Sequence, residues 1–478
     1  MKTHHTLSLI LVAAGTLAGC AVGPQYAKPD TPSIVLANAQ TPQFSIASTQ
    51  APWWSFFEDA RLTQLINAAL AHNHDIRQAQ ANLLTSRSIF DERQLDRLPT
   101  VTAQGSYQRS VEQQAGTNGT PERRPSETWR AGFDAQWEID LFGRLDRLGK
   151  SAQARAEAAQ AELDQTRLMI AADVARHYYE RLGMQRRLDV AHAQTQSWRD
   201  TLKLIRARVE LGNGLPEDLE NARANLLRSE ATIPPLMVAI EEAQYRLDVL
   251  TGQRPGYTTM DAQAPLPPPL ARQLPLGDVD SLIRNRPDVV RAERLLAAST
   301  EDVGAATADL YPRLNLGGFI GFFALRGGDI GSASRAFEIA PSVSWPALRL
   351  GSARARLRGS QAQSEGALAR YEQSLLVAQE DVENAVSRLA QHQSRVASLM
   401  QSASHGTAAL DIATKRYRAG SGSYIAVLEN QRALFQIRQE VAEAETASYV
   451  NAIALYKALG WGISHDVQVP ARVVGLNR

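Results

Sequence analysis

The sequence predicts a mainly α protein with a membrane β-barrel: long coiled-coil helices joined to four strands per chain, a sheet too small to close without strands from other copies. Three observations carry that fold class. Apolar residues recur every seven positions over stretches far longer than a compact domain needs, short segments alternate strictly between apolar and polar, and the whole pattern occurs twice.

The duplication comes first, because it organises everything else. Leu98-Pro99 recurs as Tyr311-Pro312, Trp137 as Trp345, Gln153-Ala154 as Gln361-Ala362, and Gly212 as Gly420. Leu219-Glu220-Asn221-Ala222-Arg223-Ala224 recurs as Leu428-Glu429-Asn430-Gln431-Arg432-Ala433, so all these pairs are 208–213 positions apart and in the same order. We therefore expect a first structural repeat over 61–260 (hairpin about 98–141, coiled coil 144–252) and a second over 278–462 (hairpin about 311–346, coiled coil 351–460). The run Pro265-Leu266-Pro267-Pro268-Pro269 marks an extended linker over 261–277, and 463–478 is a tail.

Period-two alternation gives the strands. From Thr128 to Asp140, Trp129, Ala131, Phe133, Ala135, Trp137 and Ile139 alternate with Arg130, Asp134, Gln136, Glu138 and Asp140. Val101, Ala103, Gly105 and Tyr107 alternate with Thr102, Gln104 and Ser106, and Leu314–Phe322 and Phe337–Trp345 supply the second hairpin. A soluble hairpin with one face on a core shows the same alternation. The run lengths, close to the ~9–11 residues of a tilted membrane strand, and the aromatics near their ends favour a barrel wall instead. The smallest such barrels have ~8 strands, so four must be shared; three chains give twelve strands and room for a passage, which suits a face carrying Arg130, Asp134, Glu138 and Asp140.

Heptads give the helices. No proline lies between Pro125 and Pro216, and Gly183 is the only glycine from Lys150 to Leu211, a stretch that would span roughly 93 Å as one helix. Ala154, Ala161, Leu168, Ala175 and Leu182 repeat with Ala158, Ala172 and Tyr179, and the second copy offers Leu368, Leu375, Val382, Leu389 and Val396 with Tyr371, Ala378, Ala385 and Leu399. Gly212-Asn213-Gly214-Leu215-Pro216 and Gly420-Ser421-Gly422-Ser423 turn these helices back, and Pro234-Pro235 interrupts the first return helix, as a kink if no more.

Composition narrows the function classes. Basic and acidic residues number 51 and 50 and are interspersed, so nucleic acid is not an expected partner. Lys2, the apolar run Leu7–Ala14 and the small residues up to Cys20 have the layout of a secretory signal over 1–19. Cys20 is the sole cysteine, and Leu17-Ala18-Gly19-Cys20 resembles a bacterial lipobox, which implies acyl chains on Cys20 anchoring the segment 20–60. Ala21 follows where inner-membrane retention typically uses aspartate, so the expected address is the outer membrane. Gly143 to Gly149-Lys150-Ser151 resembles a phosphate-binding loop, but five residues separate the glycines where that motif has four. His72 and His74 lack further ligands at recognisable spacing, and no nucleophile or metalloprotease motif is present, so no enzyme activity, metal or cofactor is expected beyond covalent lipid on Cys20.

Taken together, these residues resemble the outer-membrane factor family typified by TolC, in particular the OprM/NodT-type efflux lipoproteins. The similarity runs through Cys20-Ala21-Val22-Gly23-Pro24-Gln25-Tyr26 with Pro29, Trp53-Trp54 to Asp59, Arg286-Pro287-Asp288-Val289, Leu310-Tyr311-Pro312-Arg313-Leu314, and Arg416-Tyr417 through Gly420 to Leu428. The resemblance implies a homotrimer with a twelve-stranded barrel continuing into a helical tunnel across the periplasm. It also implies partners, a periplasmic adaptor and an inner-membrane transporter, and the role of a passive exit duct of a tripartite efflux system for small toxic compounds. In that family the tunnel tip closes through a tyrosine and an aspartate, matched here by Tyr417 and Asp218, and acidic rings narrow the lumen, matched by Glu429. Ala426 stands where some members carry aspartate, and Gly422 where some carry arginine. A periplasmic coiled-coil structural or adaptor lipoprotein accounts for the heptads and Cys20 but not for the strands, and a duct for polypeptide secretion remains the alternative cargo.

Overall fold

A computed structural model of the chain describes residues 21–30, 33, 44–45, 52–115, 121–257, 274–275 and 278–461. Cys20, the leader, most of the proline-rich linker and the tail lie outside these described residues. The strands of the four-stranded sheet are β1 (Thr100–Ala115), β2 (Pro121–Ile139), β3 (Arg313–Ala324) and β4 (Arg335–Ser344), and Phe44–Ser45 pairs in parallel with Leu274–Pro275 in a separate two-residue ladder. The helices are α1 (Ala60–His72), α2 (His74–Leu95), α3 (Arg144–Glu210), α4 (Pro216–Glu230), α5 (Ile233–Leu250), α6 (Val279–Arg284), α7 (Pro287–Ala308), α8 (Leu350–Arg418) and α9 (Tyr424–Leu459).

The repeat is visible in three dimensions at its smallest scale. The Trp137 indole N–H donates to the Arg97 carbonyl at 3.0 Å, and Trp345 donates to the Leu310 carbonyl at 3.1 Å; each acceptor immediately precedes the repeat-equivalent Leu98-Pro99 or Tyr311-Pro312. Compactness, however, cuts across the repeats. One unit gathers Met1–Asp30, Ala81–Gln160 and Arg291–Glu372, the other Thr31–Gln80, Ala161–Val290 and Gln373–Arg478, so each takes part of both copies.

The first unit holds the sheet and the helix segments next to it. Helix α3 begins one residue after Gly143, whose φ of +79° turns the chain out of β2. Gly149, Lys150 and Ser151 therefore lie inside a helix rather than in a phosphate-binding loop, with Lys150 paired to Asp146 and Ser151 donating to Asp302 at 2.7 Å. Small side chains set the spacing of α3 and α7. Ala154, Ala297 and Ala298 form a buried cluster with Tyr26 packed on it, and Gly304 leaves space that the Arg147 side chain occupies. Arg147 is 2% exposed and pairs with Glu301 at 2.8 Å, a buried charge tolerated because it is matched. The segment Ala21–Asp30 lies along these helices, with the Val22 N–H on the Phe142 carbonyl and the Tyr26 phenol on Glu293.

In the second unit the heptads do what their spacing predicts. Leu168, Ala172, Ala175, Tyr179 and Leu182 are buried on α3, as are Leu375, Ala378, Val382, Ala385, Leu389 and Val396 on α8. Gly183 has no room for a side chain, because a Cβ there would meet Thr446 of α9 at 2.0 Å. The prolines 234 and 235 do more than kink: α4 ends at Glu230 and α5 starts at Ile233, which puts Pro234 in the first turn of a new helix, where a missing N–H leaves no intrahelical bond unmade. Arg286, also buried, is held by the carbonyls of Ala378 and Ala458 and by Asp288 and Asp381, tying the turn before α7 to α8 and α9.

An aromatic cluster fills the rest of this core. The short 3-10 turn Trp53–Phe57 places Trp53 in a stack on Tyr456 at 6.0 Å and Phe57 against Tyr179, which itself stacks on Tyr449 at 4.2 Å. Asp59 caps α1 through the N–H groups of Arg61 and Leu62 and accepts the Tyr178 hydroxyl at 2.9 Å. Burial, with the carboxylates of Glu445 and Asp59 adding to it, pushes the Tyr449 phenol up to about 12, and burial pushes Tyr178 and Tyr179 up as well. A phenol whose folded pKa is raised stabilises the fold fully below the unfolded value near ~10, and that stability is lost as pH climbs through the folded value. Thermal melts followed by circular dichroism should thus be flat from neutral pH to about 10 and fall toward about 12, by roughly 2–3 kcal/mol for Tyr449 alone. Tyr449→Phe should remove that share, and an identical alkaline fall in the variant would contradict the assignment.

Candidate functional site

The register of the sheet sorts its two faces. Strand order is β1-β2-β3-β4, antiparallel throughout. One cross-strand row is Ala103, Phe133, Ile320 and Phe337; the next on the same face is Val101, Ala135, Gly318 and Ile339. These large apolar side chains are bare, with Phe133 54%, Ile320 65% and Phe337 79% exposed. A row between them on the opposite face is Thr102, Asp134, Phe319 and Glu338. That arrangement inverts a soluble sheet: the apolar face meets the surroundings, as in a wall seated in lipid.

The polar face has its own packing. The Arg130 guanidinium lies 4.0 Å from the centroid of the Phe319 ring and pairs with Asp134 at 2.6 Å. Phe319 is buried because Gly132 and Gly321, directly opposed in register, leave the backbone open beneath its ring. Glu138, at the end of β2, holds Arg144 through two bonds of 2.8 and 2.7 Å. Both outer strands, β1 and β4, have no neighbour on their far side among the described residues.

In the second unit the two helix reversals come together. Gly212 and Gly420 adopt φ of +75° and +76°, the left-handed backbone that ends α3 and α8. A cleft of about 390 Å³ opens there, lined by Arg208, Asn213, Leu215, Asp218, Tyr417 and Tyr424 among others. The Arg208 guanidinium donates to the Tyr417 hydroxyl, and the Tyr417 and Tyr424 rings lie 5.3 Å apart. Burial raises the Tyr424 pKa against an opposing hydrogen bond with Thr201, and the neighbouring Tyr417 and Asp218 side chains push it up as well. Asp218 itself sits in the first turn of α4, where a negative charge is favoured by the helix dipole.

Of the residues singled out from the sequence, Asp218 and Tyr417 line this one cleft, while Glu429 is exposed on α9 and is not part of its lining. Arg432, a natural i+3 partner for Glu429, bonds Asn225 instead at 2.8 Å. Arg208 and Tyr424 escaped the sequence reading; the signal for them was their position within one turn of each tip. Gly422 has a local reason for its size, since a Cβ there would crowd the Tyr417 backbone nitrogen at 3.1 Å; at Ala426 the main-chain N–H donates to the Ser423 cap of α9, a bond that does not depend on its side chain. His72 and His74 are exposed, and no group of three metal-ligating side chains occurs among the described residues.

A lipid-facing sheet with two open edges, carried on heptad helices that reverse at a polar cleft, defines the class: one subunit of a membrane-spanning channel. Residues 65–253 and 279–461 match the outer membrane efflux protein family, and the chain belongs to it. It is 27% identical over 468 residues to the solvent efflux pump outer membrane protein SrpC of Pseudomonas putida, covering 96% of this chain and 99% of that protein. Nodulation protein T of Rhizobium leguminosarum bv. trifolii is 28% identical over 438 residues, covering 90% and 91%. Among solved structures, the outer-membrane channel OprN superposes with a TM-score of 0.89 at 39% identity, over 93% of this chain and 99% of that one. The open-state MtrE outer membrane channel of Neisseria gonorrhoeae gives 0.82 at 25%, over 94% and 100%. The chain is an efflux channel protein of the outer membrane.

Proposed function

We propose that three copies of this chain close one barrel and act as the passive exit duct of a tripartite efflux pump, releasing small toxic compounds delivered by an inner-membrane transporter through a periplasmic adaptor. The observation that carries this reading is the sheet itself, whose apolar face is bare and whose two edges are unpaired among the described residues. The chain performs no chemistry in this scheme, since the polar face offers a water-lined passage and the energy comes from the transporter. Cys20 carries the lipid anchor: Cys20→Ser should abolish incorporation of labelled palmitate while leaving insertion of the barrel, and undiminished labelling would remove the assignment.

The tip cleft is the gate in this reading. Tyr417 and Asp218 hold neighbouring coils closed, with Arg208 positioning the phenol, and Glu429 lines the lumen beyond. A hydrogen bond to a charged group contributes ~1.5–3 kcal/mol, so three copies released together shift a closed-to-open equilibrium by roughly 4–9 kcal/mol if additive. Tyr417→Phe combined with Asp218→Ala should raise single-channel conductance in planar bilayers with the oligomer intact. Unchanged conductance in correctly folded complexes would show that closure rests on other residues.

A further inference from the structure

The outward face of the sheet is not uniformly filled. Tyr107, Trp129, Phe322 and Ile330 wall a cleft of about 270 Å³ with Gly105 and Ala131 between them. The Tyr107 and Trp129 rings pack 4.4 Å apart along one side, and a Cβ built on Gly105 meets nothing within 4 Å, so the space above it is open. Gly105, Ala131, Phe322 and Arg335 form a single cross-strand row, which brings the Arg335 side chain out on the same face as the cleft. Arg335 is exposed and has no carboxylate partner among the described residues, whereas Arg109, two residues past Tyr107 on β1, is paired with Glu127.

We propose that this cleft binds one acyl chain of an anionic phospholipid whose phosphate is held by Arg335. The proposal rests on the reading of this face as the lipid-facing wall. An apolar slot below the ~300–1,000 Å³ of ordinary small-molecule pockets fits a length of hydrocarbon, and a cation without a counter-charge beside it selects a net negative headgroup over a zwitterionic one. The geometry thus separates one bound lipid from the solvating annulus, because the open floor at Gly105 and the Arg335 guanidinium share one cross-strand row, and Tyr107 and Trp129 wall it from the next row on the same face.

The test uses the full-length protein reconstituted in phosphatidylcholine vesicles doped with either phosphatidylglycerol or phosphatidylcholine brominated on its acyl chains. Bromine quenches tryptophan on contact, and the difference between wild type and Trp129→Phe isolates Trp129. Half-quenching of Trp129 should need about fivefold less brominated phosphatidylglycerol than brominated phosphatidylcholine, the effect expected of one arginine near an anionic headgroup. Arg335→Gln should equalise the two lipids, and Gly105→Leu, which fills open space without displacing a neighbour, should abolish Trp129 quenching by both. Equal quenching by the two lipids in wild type, or quenching indifferent to both variants, would overturn the proposal. So would a Trp129 that stays unquenched while Trp345 is quenched, since a second copy would then cover the cleft. If no tryptophan responds to either lipid, the wall itself is not in the bilayer and the underlying reading fails with it.

Discussion

Unpaired backbone is what this structure has to resolve. In hydrocarbon each unmatched N–H or C=O costs several kcal/mol, and β1 and β4 present a full row of them on the outer edges of the four-stranded sheet. No side chain substitution relieves that cost, and no further strand among the described residues covers either edge. Closure with identical copies is the solution the chain's own chemistry demands. The alternating faces, the glycines beneath Phe319 and the bare apolar rows all presuppose it.

The helical core shows a complementary strategy, in which the buried charges of Arg286 and Arg147 are matched by carboxylates. Arg286 reaches two carbonyls and two carboxylates, and Arg147 reaches Glu301 and lies toward the Val22 carbonyl. Such pairs contribute little net stability compared with an apolar replacement, yet breaking one partner leaves a stranded charge. Their effect is positional: Arg286 fixes the start of α7 against α8 and α9, and Arg147 fixes α3 against α7. Packing between them relies on alanine and glycine, so small shifts of register are resisted by steric contact as at Gly183 and Thr446.

Much of this was legible in the sequence because it rests on period. Alternation over Thr128–Asp140 and heptads from Ala154 onward report directly which face is buried, and the glycines at 212 and 420 mark where helices must end. What escaped was set by partners distant in sequence. Strand β2 runs on to Pro121 through Glu122-Arg123-Arg124, a charged run in which the sequence has no apolar–polar alternation to read; Pro125 fits because that part of β2 pairs with β1 alone. The aromatic cluster around Trp53 and Tyr179 joins residues more than a hundred positions apart. Arg208 entered the tip cleft through the fold of the turn, not through any motif, while Glu429 stayed outside it.

Closure of the sheet by other copies is the central claim, and the mass of the complex tests it most directly. Protein mass measured by light scattering in mild detergent, with detergent subtracted, should equal three processed chains and remain so until heating destroys the strands. A stable monomer or dimer with its strand content intact would contradict the account, because the edges of β1 and β4 would then have been satisfied without forming a barrel wide enough for a passage.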